Sequence, residues 1–537
     1  MSSPLGGREF GVLLHPSSLA GPDDIGTFGA EAYDFVDWLV RAGAAVWQML
    51  PLTMNGRYDS PYSSPSAFAG NPWLIDLRLL RQGGLLPDPG LRPEAIDARV
   101  PFGELPATKR PLLLIAAEAF LADPHHPWCE RFARYRAREA WLADTAHFFA
   151  LRDVHGKGPW WQWPSALRSR EPSALQASRI ELADRIALWE VLFFFADEQW
   201  AQLRAYANAR GVSILGDLPF YVDHDSADVW ANQEQFRLDG DGRLEAQSGV
   251  PPDYFSETGQ LWGHPLYRWD VMARDGFRWW VARLRRSLDL ADAVRIDHFR
   301  AIAGFWEVPS GAADARGGRW VAGPGQPFLD VVREHFPAMP FIAEDLGSVG
   351  EDVHRLRDAN GLTGMRVLQY GFDGDPDNPH LPHTFPSSCV AYTGTHDNQT
   401  LHGWWDSLDR SVRERVAAYY QFSPSDEIGT VVWSLIEADL GSRADLAVIP
   451  VQDLLVQGST ARMNDPSTIL GNWSWRMPTD GLSRELATSL RILADRYGRL
   501  RTDDSPWSDG YLWRVGARNG SGRSHQRRAA RRTAQRR

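Results

Sequence analysis

Three acidic residues stand where short apolar runs give way to polar ones: Asp297 in RIDHF, Glu344 in IAEDLG and Asp397 in TGTHDN. Asp345 adjoins Glu344, and Asp217 in LGDLPF is a fourth acid in the same kind of place. One carboxylate so placed can attack an anomeric carbon while a second carboxyl, kept protonated, gives its proton to the leaving oxygen; this is the pairing that glycoside chemistry needs. Neighbours decide which acid takes which part. Arg295 precedes Asp297 by two residues, so on a strand both side chains leave the same face. A nearby guanidinium lowers a carboxyl pKa, so Asp297 is expected to be ionised and to act as nucleophile. No basic residue adjoins Glu344, and Asp345 and Asp297 should raise its pKa, which suits an acid and base. Asp397 is left to hold sugar hydroxyls and favour a distorted ring. Arg295, His298 and His396 supply positive or hydrogen-bonding groups beside these acids. The plainer reading of Arg295 and Asp297 is a buried ion pair that pins a loop.

The acids can meet only if the runs before them are strands of one sheet. Short apolar runs at 11–19, 45–52, 212–220, 293–296, 341–347, 364–370, 389–397 and 446–455 read as eight strands. Helical spacing of apolar residues occurs at 28–43, with Gly43 as C-cap, and at 111–121, 128–150, 180–209, 272–288, 328–336, 351–359, 412–420 and 428–436. Strands alternating with helices predict an α/β chain, a (β/α)8 TIM barrel with inserted, mainly helical subdomains, whose active site lies at the carboxyl ends of the strands. A doubly wound open sheet is the alternative, but no GxGxxG or GxxxxGK[ST] follows any strand. The reading places a catalytic barrel over 1–515, a helical insertion at about 75–205, a substrate-binding loop region at about 221–270, and a basic, solvated tail at 516–537.

Composition narrows the classes. A net charge of −11 argues against a nucleic-acid partner for the main body. Two cysteines, Cys129 and Cys389, make no disulfide framework and no metal quartet, which fits a reducing cytosol. The N-terminal stretch lacks the pattern of a signal peptide, and no long uncharged apolar run is present, so a cytoplasmic protein with no membrane partner is expected. HHPWC at 125–129 lacks a complete ligand set, so no metal is expected there. Ser387, Ser388, His383 and His396 form no nucleophile elbow.

RIDHF, IAEDLG and GTHDN, in this order, resemble the catalytic strands of the α-amylase clan. A closer resemblance is to the 4-α-glucanotransferases, the amylomaltase or disproportionating family, glycoside hydrolase family 77. SPYSSPSAFAGNPWLIDL, GVPPDYFSETGQLWGHPLY, GFWEVP with GGRWVAGPG, and GSTARMNDPSTILGNWSWR are similar to that family's signatures. The likeness runs roughly from 11 to 476 and on to about 513. It implies the nucleophile at Asp297, the acid and base at Glu344 and the transition-state stabiliser at Asp397, with Arg295, His298 and His396 beside the cleaved bond. It implies sugar contacts at Tyr62, Asp253, Gln260, Trp262, Asp373 and Asn464. The implied partners are an α-1,4-glucan donor and a glucose or maltooligosaccharide acceptor, with no cofactor and a monomer or weak homo-oligomer. Two positions depart from the family's pattern: His264 where Asn is usual and Ser467 where Gly is common, both in loops lining the acceptor side. An α-amylase-type hydrolase and an inactive glucan-binding protein are the alternatives.

Overall fold

A computed structural model describes residues 7–87, 99–156, 158–252, 256–347 and 349–501. The expected basic tail at 516–537 lies outside them. Among the described residues twelve strands follow in chain order: β1 (Glu9–Leu13), β2 (Val46–Gln48), β3 (Ser213–Leu218), β4 (Ala246–Val250), β5 (Gln260–Pro265), β6 (Ala293–Ile296), β7 (Gly304–Pro309), β8 (Arg319–Ala322), β9 (Phe341–Ala343), β10 (Gly364–Val367), β11 (Cys389–Tyr392) and β12 (Leu446–Pro450). Eight of them pair in parallel in the order β10-β11-β12-β1-β2-β3-β6-β9. A parallel bridge from Ile342 to Thr363, with Ala343 N–H donating to the Thr363 carbonyl at 2.8 Å, brings the two ends of that order together. The result is the expected TIM-barrel-like α/β fold. β1, β11 and β12 are buried along their whole length, and β11 and β12 accordingly read as unbroken apolar runs.

Helices cover the outside. Ala30–Ala42 buries Phe35, Val36 and Leu39 and ends at Gly43, whose φ of +79° is the left-handed cap expected of it. Arg278–Leu290, Gly325–His335 and Glu351–Ala359 follow the next strands. Two predicted helices are each divided. The run at 128–150 is Cys129–Arg138 and Leu142–His155, parted at Glu139, whose backbone is non-helical and whose carboxylate accepts from Trp141 Nε1 at 2.8 Å. The run at 272–288 is Trp269–Arg274 and Arg278–Leu290, parted at Gly276 and Phe277, both at positive φ (+72° and +54°). Phe277 accepts that conformation because its ring is buried against Trp269 and Phe328.

Between β2 and β3 lies a run of helices that ends in the 27-residue helix Ala183–Ala209. Phe193, Phe194 and Phe195 on that helix pack among Phe120, Trp128, Phe132, Trp141 and Phe149. Farther along, Trp200 packs on Phe28 and Trp47 and donates to the Leu290 carbonyl at 2.9 Å, which ties the same helix to the barrel.

A second sheet, antiparallel in the order β5-β4-β7-β8, is built from the connections that follow β3 and β6. The sequence alone predicts loops there. Gly249, Gly259 and Gly263 interrupt the alternation that marks a strand, and the first pairs so closely that a Cβ would lie 2.3 Å from the Gln260 carbonyl oxygen. No helix among the described residues is long and apolar enough to cross a membrane.

Candidate active site

Asp297 and Glu344 each stand one residue past the end of adjacent, paired strands. Ile296 of β6 is in register with Ala343 of β9. The pairing continues past the strands: Asp297 N–H donates to the Leu218 carbonyl at 3.0 Å, and Glu344 N–H donates to the Ile296 carbonyl at 3.1 Å. Neighbouring strands lie about 4.8 Å apart, so the two carboxyls leave the barrel rim side by side. Asp397 follows β11, two places further round.

Arg295 connects the acids. Its Nη1 donates to both oxygens of Asp217 at 2.8 Å, and its Nη2 lies 3.0 Å from Asp297 Oδ1. The Tyr62 hydroxyl donates to Asp217 Oδ2 at 2.7 Å. The Tyr62 ring stacks on His396 at 5.1 Å and meets Trp473 at 5.5 Å. His396 Nε2 lies 3.4 Å from Asp397 Oδ1, and Asn464 Nδ2 donates to that oxygen at 2.6 Å. One chain of contacts therefore runs from β3 through the loop after β2 to the segments that follow β11 and β12.

Glu344 is fixed by backbone. Its Oε1 accepts from Leu346 N–H and its Oε2 from His298 N–H, both at 2.8 Å. His298 has φ +49°, a left-handed turn directly after the nucleophile candidate. Its Nε2 is buried without a hydrogen-bond partner among the described residues, and its ring meets Trp262 edge-on at 4.7 Å. Trp262 Nε1 donates to Gln260 Oε1 at 3.1 Å, so β5 brings both expected sugar-contacting residues to the same corner.

Burial raises the Asp297 carboxyl, Asp217, Glu344 and Asp397 push the same way, and Arg295 opposes them. The expectation that Arg295 simply holds Asp297 ionised needs amending, because this guanidinium is shared with Asp217. The Glu344 carboxyl is also raised, chiefly by burial, against the pull of Arg295 and its two backbone donors. Asp345 pushes the same way, as expected, though less than burial does. His298 is pushed down to about 3 by burial and His396 is lowered for the same reason, so both are neutral imidazoles.

Other expected positions fall elsewhere. Asp373 is exposed on the loop after β10, where its carboxylate accepts from Asp375 N–H at 3.0 Å. Asp253 lies outside the described residues. His264 is buried, stacks on Tyr221 at 6.2 Å and is pushed down to about 3 by burial. Ser467 donates its hydroxyl to Asp465 at 2.7 Å, and Asp465 in turn pairs with Arg462 at 3.2 Å. Arg462 and Trp473 were not anticipated. Arg462 donates to the Asp397 carbonyl at 2.6 Å and to the Asn464 carbonyl at 2.7 Å, so it sets the loop that aims Asp397. Both belong to the GSTARMNDPSTILGNWSWR stretch that carries Asn464, and only that adjacency could have flagged them.

The glycoside hydrolase family 77 model, described as 4-α-glucanotransferase, matches residues 14–482. A 4-α-glucanotransferase of Thermus thermophilus is 46% identical over 503 residues, covering 92% of this chain and 99% of its own. A chloroplastic or amyloplastic 4-α-glucanotransferase of Arabidopsis thaliana is 45% identical over 500 residues, with 92% and 86% covered. Among solved structures, an amylomaltase from Streptococcus agalactiae in complex with acarbose superposes with a TM-score of 0.88 at 35% identity, covering 92% of this chain and all of that one.

Proposed function

The chain belongs to the 4-α-glucanotransferase family, and from that premise we propose that it moves α-1,4-glucan segments between maltooligosaccharides by double displacement with retention. Asp297 attacks the anomeric carbon and the bond to the leaving sugar breaks. Glu344 gives its proton to the departing oxygen. The covalent glucosyl-enzyme is then attacked by an acceptor hydroxyl whose proton returns to Glu344. Asp397, held by Asn464 and His396, takes sugar hydroxyls and favours the flattened ring of the transition state. Tyr62, Asp217 and Arg295 keep the nucleophile aimed. The two-carboxyl route itself calls on neither metal nor organic cofactor.

The observation that carries this reading is the placement of Asp297 and Glu344 on paired strand ends, with one guanidinium touching the first and two backbone N–H groups fixing the second. Retaining chemistry needs carboxyls roughly 5–5.5 Å apart, and residues one place past two paired strands about 4.8 Å apart can meet that requirement. Transfer rather than hydrolysis is favoured by Trp262, whose ring leans on His298 next to the nucleophile and offers a flat apolar partner to an arriving sugar. Incubation with maltotriose alone is the test. Longer maltooligosaccharides together with glucose are expected; shortening alone would identify a hydrolase, and bound but unchanged maltotriose a glucan-binding protein.

A further inference from the structure

We propose that Asp345 is the positioning residue for Glu344, acting from the wall of the barrel through the Glu344–Leu346 turn; this rests on the reading of Glu344 as acid and base. Successive residues on a strand face opposite ways, and at the end of β9 the two acids part accordingly. The Asp345 side chain has no exposed surface. Its Oδ2 pairs with Arg357 and lies 3.6 Å from Arg366 Nη1 and 3.9 Å from His354 Nδ1. Its Oδ1 accepts from Met365 N–H at 2.7 Å. Gly364 leaves the room for this: a Cβ there would lie 2.6 Å from Asp345 Oδ2.

The location is what gives the contact its importance. β6 and β9 share three paired residues, whereas β9 and β10 are joined by the bridge between Ile342 and Thr363. Past that bridge, the Asp345 carboxylate takes the place a strand carbonyl would have had for Met365 N–H. A side chain, rather than a sheet ladder, therefore fixes the turn that aims Leu346 N–H at Glu344 Oε1. Among the described residues, the charged or titratable groups that bear on Glu344 are Arg295 of β6, Asp297 and the neutral His298 just past that strand, Tyr370 from the segment after β10, and Asp345 from the opposite side of the turn. Removing the Asp345 charge leaves Arg357, among the described residues, only its pair with Asp358, takes the nearby carboxylate from Arg366, and loosens the turn. A catalytic group displaced by about 1 Å loses on the order of a hundred-fold in rate. Asp297, tied to Arg295 and to β3, keeps its place.

A donor that needs no proton separates the two effects. With α-maltotriosyl fluoride, the Asp297 carboxylate attacks the anomeric carbon and fluoride leaves with the bonding electrons, unprotonated. Azide then displaces Asp297 without giving up a proton, to form the glycosyl azide. For Asp345→Asn, kcat with maltotriose is expected to fall about 10- to 100-fold with KM within about two-fold, while fluoride release in azide stays within about three-fold of the parent. Glu344→Gln should show the same split more strongly; equal losses on both donors in that variant would overturn the acid and base reading itself. If Glu344→Gln splits the two donors but Asp345→Asn lowers both alike, or neither, the positioning role is wrong. Arg357→Gln leaves the Met365 contact in place and guards against a variant that fails to fold. It should show a smaller split that Arg357→Lys largely restores, and unchanged maltotriose turnover in Arg357→Gln would also overturn the proposal.

Discussion

At the end of β9 the barrel treats two adjacent carboxyls in opposite ways. On the wall, the Asp345 carboxylate pairs with Arg357 and lies 3.6 Å from Arg366, so two guanidinium groups face one acid. At the mouth, a single guanidinium, Arg295, pairs with both Asp217 and Asp297 and bears on Glu344. Two guanidinium groups facing one carboxylate make a contact suited to holding structure. Carboxyls that must share one cation keep a proton affinity that small changes can move, which is what acid and base chemistry requires.

The largest effect that could break this contrast comes from Asp297→Asn. Maltotriose turnover should fall by about four orders of magnitude, with maltooligosaccharide binding by calorimetry little changed; substantial residual turnover would mean that the mouth does not hold the nucleophile. Asn464→Ala removes the 2.6 Å donor from Asp397. A lost hydrogen bond to a charged group costs about 1.5–3 kcal/mol, so kcat should drop roughly 10- to 100-fold while the protein's melting temperature hardly moves.

Asp217→Asn sharpens the contrast further. The Asp217 charge raises the Asp297 carboxyl, so removing it lets Asp297 ionise at lower pH. The acidic limb of the kcat/KM profile, which reports the group that must lose its proton, should move down by about one pH unit. An upward shift would show that the loss of order at Arg295 outweighs the loss of like charge.

The smallest expected effect lies away from the mouth. Asp439, in the helix Ile428–Gly441, is wholly buried, neither oxygen has a hydrogen-bond partner among the described residues, and burial pushes its carboxyl up to about 7. Its folded pKa lies above the unfolded one. Its favourable contribution is therefore complete below about pH 4 and is lost as pH rises through 7. Asp439→Asn cannot titrate, so its melting temperature relative to the parent should rise by about 2–5 °C between pH 5 and pH 8. A constant difference would show that Asp439 keeps its ordinary pKa.

Much of this was legible in the chain. The eight barrel strands announce themselves as short, mostly apolar runs because they are largely buried; the polar residues they do carry, such as Arg295 in β6 and Asp217 in β3, are paired with one another, and the catalytic candidates stand just past the strand ends. Helix breaks were harder. Nothing apolar changes at Glu139, and Gly276 is a single residue inside an otherwise continuous pattern. The antiparallel sheet escaped because its glycines and prolines imitate a loop. Arg462 escaped because its partners are backbone carbonyls of Asp397 and Asn464, a relation no spacing records. Asp345 stood in plain view beside Glu344, but only three-dimensional pairing shows that it faces the other way.

The helix Ala183–Ala209 has a consequence for anyone reshaping the molecule. At 1.5 Å per residue its 27 residues make a strut about 40 Å long, whose middle carries Phe193, Phe194 and Phe195 among the aromatic side chains of the insertion and, farther along, Trp200 against Phe28 and Trp47. Removing the helices that precede it would bare Phe193, Phe194 and Phe195 to water. Cutting through the strut would remove an outer stave of the barrel along with the appendage.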